Sequence, residues 1–235
     1  MPSLPTLLLA QAGASASDGS LSLNISGGGS AAMKLFVLMT LLSFAASIVI
    51  SLTSFTRIVI VLGFLRQALG TPQVPPNQVI LGLALALTCF IMAPVGSRVW
   101  KESLEPYSND KIGYQEAFDR ASVPVLEFLV RHTDEKDLRL FFEVSGRPRP
   151  AKGDAIPLTV AVPAFMTSEL TTSFRMGLYI YLPLLLVDMF VSSILMSLGM
   201  MMMPPQMVAL PVKLGIFLLA DGWRIVVGGL VRSFG

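Results

Sequence analysis

Leu35 to Thr56 is a run of 22 residues without a charge. As a helix rising 1.5 Å per residue it would span about 33 Å, enough for a hydrocarbon core of about 30 Å. Arg57 interrupts the run, apolar character resumes from Ile58 to Leu65, and Arg66 follows. The segment Gly70-Thr71-Pro72-Gln73-Val74-Pro75-Pro76-Asn77 cannot continue a helix, since each Pro lacks an amide donor, and it reads as a tight reversal. Val79 to Gly96 is a second uncharged run of 18 residues. Apolar helical character returns after Pro163, and Met176 to Met203 is a 28-residue run broken only by Asp188, with Pro183 inside it. Met207 to Val231 is the last apolar stretch and carries Lys213, Asp221 and Arg224. No strand-like alternation of any length appears. The pattern predicts an all-α chain: four apolar membrane-type segments forming two helical hairpins around a hydrophilic insert.

The insert is defined by charge. Arg98 to Asp154 holds 10 Lys/Arg and 11 Asp/Glu, so 21 of the chain's 32 charges fall in this window and it must face water. Amphipathic spacing predicts helical pieces over Ile112–Ser122 and Pro124–Arg131, with Pro124 suited to start the second. Thr133 before Asp134 and Glu135 predicts an N-cap with an acidic first turn, for a helix running through Val144 and stopping near Gly146. Arg147 to Gly153 reads as a loop. The expected organisation is a leader at 1–30, a first hairpin at 31–96, the insert at 97–162 and a second hairpin at 163–235. Leu7 to Ala16 resembles the end of a secretory signal without its basic start, so the leader is expected to be a degenerate signal sequence followed by a Gly/Ser-rich lead-in.

Composition agrees with a membrane protein. Apolar residues make up 53% of the 235 and charged ones 14%, against about 25% charged in soluble domains. A net charge of +2 is too small to argue for a nucleic-acid partner. With one cysteine, Cys89, and one histidine, His132, neither a cysteine cluster nor a paired-histidine metal motif is possible. No nucleophile elbow, phosphate loop or paired catalytic carboxylate appears, so no enzyme, metal or cofactor is expected. Glu169 with Ser168, Thr171 and Thr172 is read as caps and surface groups at a helix start.

Two features carry candidate function. Met200, Met201, Met202 and Met203 stand between Gly199 and Pro204-Pro205, with apolar runs on both sides. Gly and the two prolines break the helix there, leaving a loop of pliable thioether side chains that can repack around whatever touches it. Such a loop suits a seal in a passage; lipid-facing or core filler is the competing reading. The second feature is charge in apolar helices: Arg57, Asp188, Lys213, Asp221 and Arg224. Each is costly in a bilayer unless paired or turned to a polar interior. Asp221 and Arg224, three apart, can meet on one helix face, and Lys213 and Asp221 lie loosely on one side. Mixed signs without a histidine favour salt bridges holding helices and subunits together over a proton or ion path. The positive-inside rule, applied to Arg57 and Arg66 in the first connection, favours a cytoplasmic connection and an insert on the outside.

Long blocks match a known family in order. They are Thr53-Ser54-Phe55-Thr56-Arg57-Ile58-Val59-Ile60-Val61, Leu65-Arg66-Gln67-Ala68-Leu69-Gly70-Thr71-Pro72, Pro75-Pro76-Asn77-Gln78-Val79, Phe90-Ile91-Met92-Ala93-Pro94, Pro163-Ala164-Phe165-Met166-Thr167-Ser168-Glu169-Leu170, Leu198-Gly199 through Pro204-Pro205, and Ala220-Asp221-Gly222-Trp223. From about Leu35 onward the sequence resembles the FliP/SctR family of type III protein export gate subunits. The Thr-Arg after Ser54-Phe55 and Gln78 after Pro-Pro-Asn lean to the flagellar branch over the virulence (injectisome) branch.

The resemblance implies an α-helical homo-oligomer, a ring of five, assembled with FliQ, FliR and other flagellar export apparatus proteins. It implies a place in the bacterial inner membrane, at the flagellar basal body, with the insert on the periplasmic side and unfolded flagellar proteins as cargo. It carries the family's methionine gasket onto Met200, Met201 and Met202, with Met203 an additional methionine. A ring of such loops would exclude water and ions at rest and yield to an extended chain. An ion-conducting transporter subunit and a membrane scaffold without a conduit remain the alternatives from other classes.

Overall fold

The computed structural model describes residues 28–71, 74–146, 156–200 and 203–235. Residues 1–27 of the expected leader, the whole expected loop from Arg147 to Gly153, and Met201 and Met202 lie outside the described residues. The chain divides into two units, residues 1–44 and 45–235. In the first, the described residues belong to helix α1, Gly28–Leu52, whose Met33–Phe44 stretch is apolar and exposed. The Thr40 hydroxyl donates to the Phe36 carbonyl at 2.8 Å, satisfying the polar group within its own helix.

The second unit is built around α2, Phe55–Ala68. The sequence reading placed Arg57 and Arg66 in a connection with resumed apolar character; the structure makes this segment a helix of its own. Ile58, Val61, Leu62, Leu65 and Ala68 recur at helical spacing and are buried along one stripe. At the break before it, the Phe55 N–H reaches Thr53 Oγ1 at 3.4 Å and Thr56 Oγ1 donates to the Ile50 carbonyl at 3.0 Å. Side chains thus take over backbone groups that continuous helix would have used. Because Arg57 is buried, it does not face water and casts no vote in the positive-inside argument.

After the proline-rich segment, α3 runs Asn77–Val99, passes through a wider π-turn at Trp100–Leu104, and ends in α4, Glu105–Ser108. The insert then folds as α5, Tyr114–Arg131, and α6, Glu135–Val144. Two expected pieces of α5 are one helix, with Pro124 buried inside it. The expected cap is displaced by one residue: Asp134 takes the extended N-cap position of α6, while the Thr133 hydroxyl turns back to the Leu129 carbonyl at 2.6 Å.

Helix α7 is continuous over Leu158–Ser197, 40 residues with Pro163 and Pro183 inside it. Pro163 was expected at a helix start, yet α7 begins earlier, with Pro157 at its N-cap. At 1.5 Å per residue α7 is about 60 Å long, twice a hydrocarbon core. Its two halves differ accordingly. The N-terminal half buries Val160, Ala161, Ala164, Phe165, Ser168, Glu169 and Ser173, whereas the C-terminal half leaves Leu178, Leu182, Leu186, Phe190 and Ile194 exposed. The Phe64 side chain of α2 packs onto Gly177 of α7, where a Cβ would lie 2.5 Å from its ring.

The chain turns into α8, Pro205–Leu219, and α9, Gly222–Arg232, bent by 63° to each other. Asp221 makes the corner in left-handed backbone, φ 51°. Aspartate tolerates that region better than most residues with a Cβ. One core joins α2, α3, α7, α8 and α9; a second gathers Phe128, Leu129, Ala161, Phe165 and Phe234.

The described residues are all-helical, without strands. By length and apolar composition two helical stretches can cross a membrane, Asn77–Ser108 and Leu158–Ser197, and the bent pair α8–α9 makes a third if it counts as one span. Four segments were expected, and the fourth would be the run in α1.

Candidate functional site

The methionine turn follows from a helix stop on one side and a helix start on the other. Leu198 caps α7, Gly199 takes φ 75°, and two bonds tie off the orphan carbonyls: Gly199 N–H to Met196 O at 3.1 Å and Met200 N–H to Leu195 O at 3.0 Å. This is a Schellman ending, which needs a residue free to adopt positive φ. On the far side Pro204 is extended and Pro205 is the first residue of α8, where a missing N–H leaves nothing unsatisfied. Between them the Met203 N–H points to the Met200 carbonyl at 3.4 Å. Met200 and Met203 are 48% and 43% exposed, so these two side chains are presented rather than packed.

Of the charges singled out from sequence, Arg57 is 4% exposed, and its partner is Glu169, which is fully buried. The Arg57 Nε–H donates to Glu169 Oε2 at 2.8 Å and Nη2 to Oε1, a forked pair. Its Nη1 donates to the Ser233 carbonyl and hydroxyl at 3.1 and 2.9 Å, and the guanidinium carbon lies 3.8 Å from the centre of the Phe234 ring. A buried charge is tolerable only with such complete satisfaction. His132 adjoins the same cluster, its rings tilted against Phe128 and Phe234 and its Nδ1 2.7 Å from the Phe128 carbonyl.

Glu169 is the residue that sequence reasoning missed, having been read as a surface group. The signal was present: Arg57 is the only charge from 35 to 65, and Glu169 the only acid from 155 to 187. Two lone opposite charges in separate apolar stretches are each other's natural partners. Its neighbour Ser168 is no cap of its own helix either. The Ser168 hydroxyl accepts the Asp134 N–H at 2.9 Å and donates to the Asp137 carboxylate, holding the start of α6 against α7.

Lys213 on α8 is buried and donates to the Ala68 carbonyl at 2.9 Å and to the Asp188 carboxylate. Ala68 is the last residue of α2, so the ammonium sits at a helix C-terminus, where carbonyls are unpaired and a cation is favoured. Asp188 is 38% exposed and borders an open groove with Met196 and Gln206. Asp221 and Arg224 are both exposed, and among the described residues neither makes an ion pair. The structure therefore brings Lys213 to Asp188 rather than toward Asp221. No group of three or more metal-ligating side chains occurs among the described residues.

Comparison with known proteins gives the family. The family model described as the FliP family matches residues 38–230. The flagellar biosynthetic protein FliP of Bacillus subtilis (strain 168) is 50% identical over 205 residues, covering 87% of this chain and 93% of that protein. FliP of Pectobacterium carotovorum subsp. carotovorum is 49% identical over 198 residues, covering 84% and 77%. FliP of Aquifex aeolicus (strain VF5) is 46% identical over 204 residues, covering 86% and 85%. The class is thus an all-helical, membrane-associated component of flagellar biosynthesis, structural rather than enzymatic. The chain belongs to the FliP family.

Proposed function

We propose that the chain is a pore-forming subunit of the flagellar type III export gate, in which Met200 to Met203 seal a conduit for unfolded protein. The observation that carries this reading is the anchoring of the methionine turn. A Schellman stop at Gly199 and a double-proline start fix both ends, and the described methionines between them remain exposed. Thioether side chains exclude water, exchange rotamers readily and demand no hydrogen bonds, so a ring of such turns closes at rest and parts for many cargo sequences.

The resemblance supports the wider assembly: a ring of five copies with FliQ, FliR and other export proteins, in the inner membrane of the flagellar basal body. In this reading the insert faces the periplasm and divides two helical hairpins. Arg57, Lys213 and Asp188 hold helices of the subunit together, since each is spent on a partner within the chain, and the exposed apolar half of α7 meets neighbouring subunits or lipid.

Replacing Met200 to Met203 with Ala in the assembled complex tests the seal. Ion leak across the membrane is expected to rise while the complex still assembles, and a cargo chain stalled in transit is expected to cross-link to a probe at Met201. Unchanged leak together with no cross-link would reject the conduit and leave a scaffold.

A further inference from the structure

Two cavities in the second unit meet at Arg66 and Leu69, and their chemistry is opposite. One, about 210 Å³, has aliphatic walls from Leu62 and Leu65 on α2 and Ile80 and Leu83 on α3, with Trp223 of α9 beside them. The other, about 630 Å³ and open, is edged by Gln67, Thr71, Tyr181, Gln206 and the Lys213–Asp188 pair. Arg66 lines both. Its Nη1 donates to the neutral Asn77 Oδ1, and among the described residues no carboxylate pairs with it. Lys213 and Asp188 cancel one another, so the polar groove carries one uncompensated positive charge. A guanidinium so placed keeps further N–H donors for a second acceptor.

We infer that this pair of cavities binds one anionic phospholipid, the phosphate against Arg66 in the polar groove and part of an acyl chain in the apolar cavity. A peptide segment is a poorer occupant of the apolar half, because most of its amides would be buried against aliphatic walls, with few polar groups beyond Arg66 to satisfy them. A hydrocarbon chain makes no such demand. The guanidinium fork matches a phosphate, and basic pockets between membrane helices are known settings for acidic headgroups. Trp223, which lines the apolar cavity and is partly exposed, is a side chain suited to the level where headgroup and hydrocarbon meet. This inference goes beyond the export reading and does not rest on it: Arg66 and the apolar cavity beside it belong to a single copy and require no ring.

The test is native mass spectrometry of the full chain, purified in detergent and equilibrated with mixed micelles containing either phosphatidylglycerol or phosphatidylcholine. The wild type is expected to retain one phosphatidylglycerol in preference to phosphatidylcholine by about tenfold, the ratio set by one charge-assisted contact. Arg66→Gln should abolish that preference, Arg66→Lys should keep part of it, and Leu83→Trp, which fills the apolar cavity, should lower retention of both lipids. Equal retention of the two lipids by the wild type overturns the inference. So does an undiminished preference in Arg66→Gln, or unchanged retention in Leu83→Trp. Should Arg66→Gln fail to fold, the Lys and Trp variants decide.

Discussion

Glu169 lies 112 residues from Arg57 in sequence, yet its two carboxylate oxygens take two donors of that one guanidinium, and both side chains are buried. The pair fastens the start of α2 to the buried half of α7, and Ser233 and Phe234 close over it. Breaking a buried ion pair strands its partner, so Arg57→Ala or Glu169→Ala should each destabilise the fold by about 3–5 kcal/mol. The double change Arg57→Met with Glu169→Leu removes both charges and should cost less than the two single changes added. Thermal loss of helical circular dichroism in detergent measures all three. Additive costs would mean that the two groups act independently, against the geometry.

Lys213 and Asp188 form a less equal pair. Lys213 is buried and also serves the Ala68 carbonyl, whereas Asp188 keeps over a third of its surface in solvent. Lys213→Met should therefore cost about 1–3 kcal/mol, through lost bonds and an unpaired carbonyl at the end of α2. Asp188→Asn should cost under about 1 kcal/mol, since a half-exposed carboxylate is replaced by a group that still accepts a hydrogen bond. The same melts check the ordering, and a reversed order would show that Asp188 is the member the fold depends on.

Asp221 separates backbone from charge. It has no ion-pair partner among the described residues and sits in left-handed conformation between α8 and α9. Asp221→Asn keeps a side chain that tolerates this conformation and should leave the melting temperature nearly unchanged. Asp221→Ala should cost about 1–2 kcal/mol by straining the corner. If Asn is as damaging as Ala, the carboxylate itself matters, and Asp221 returns as a candidate for an assembly contact or ion path.

The apolar runs around α3, α7 and α8 were legible because a helix crossing a bilayer must be long and uncharged, and because Gly199 and Pro204-Pro205 punctuate the chain so strongly. The helical nature of the insert was legible too, from amphipathic spacing and the acidic first turn of α6. What escaped was anything set by partners far apart in sequence. Segment α2 looked like a connection because Arg57 broke its apolar run, and only Glu169 makes that charge burial possible. Glu169 looked like surface because its neighbours are Ser and Thr, though Ser168 is engaged with α6. Pro163 looked like a start because a proline inside a helix costs a bond, yet α7 runs through it within a packed segment, between the buried Ala161 and Ala164. Asp221 and Arg224 had the right spacing to meet, but the left-handed corner puts Asp221 outside the helix that carries Arg224.

Gly199 gives a test of the methionine turn that leaves every methionine in place. An added Cβ there would meet nothing within 4 Å, so any effect of substitution comes from the backbone, which holds φ at 75°. Gly199→Ala should cost about 1–2 kcal/mol in that conformation. The cheaper escape is to relax φ, which loosens the two bonds to Met196 and Leu195 and redirects Met200. Gly199→Asn, which tolerates left-handed backbone, should behave nearly as wild type. If the turn's aim forms the seal, Gly199→Ala raises ion leak in the assembled complex in the same direction as removing the methionines, and Gly199→Asn does not. If both variants leak no more than wild type while the Met-to-Ala variant leaks, the thioether groups seal without help from the stop at the end of α7. The turn would then be a tether of adjustable geometry rather than a positioned plug.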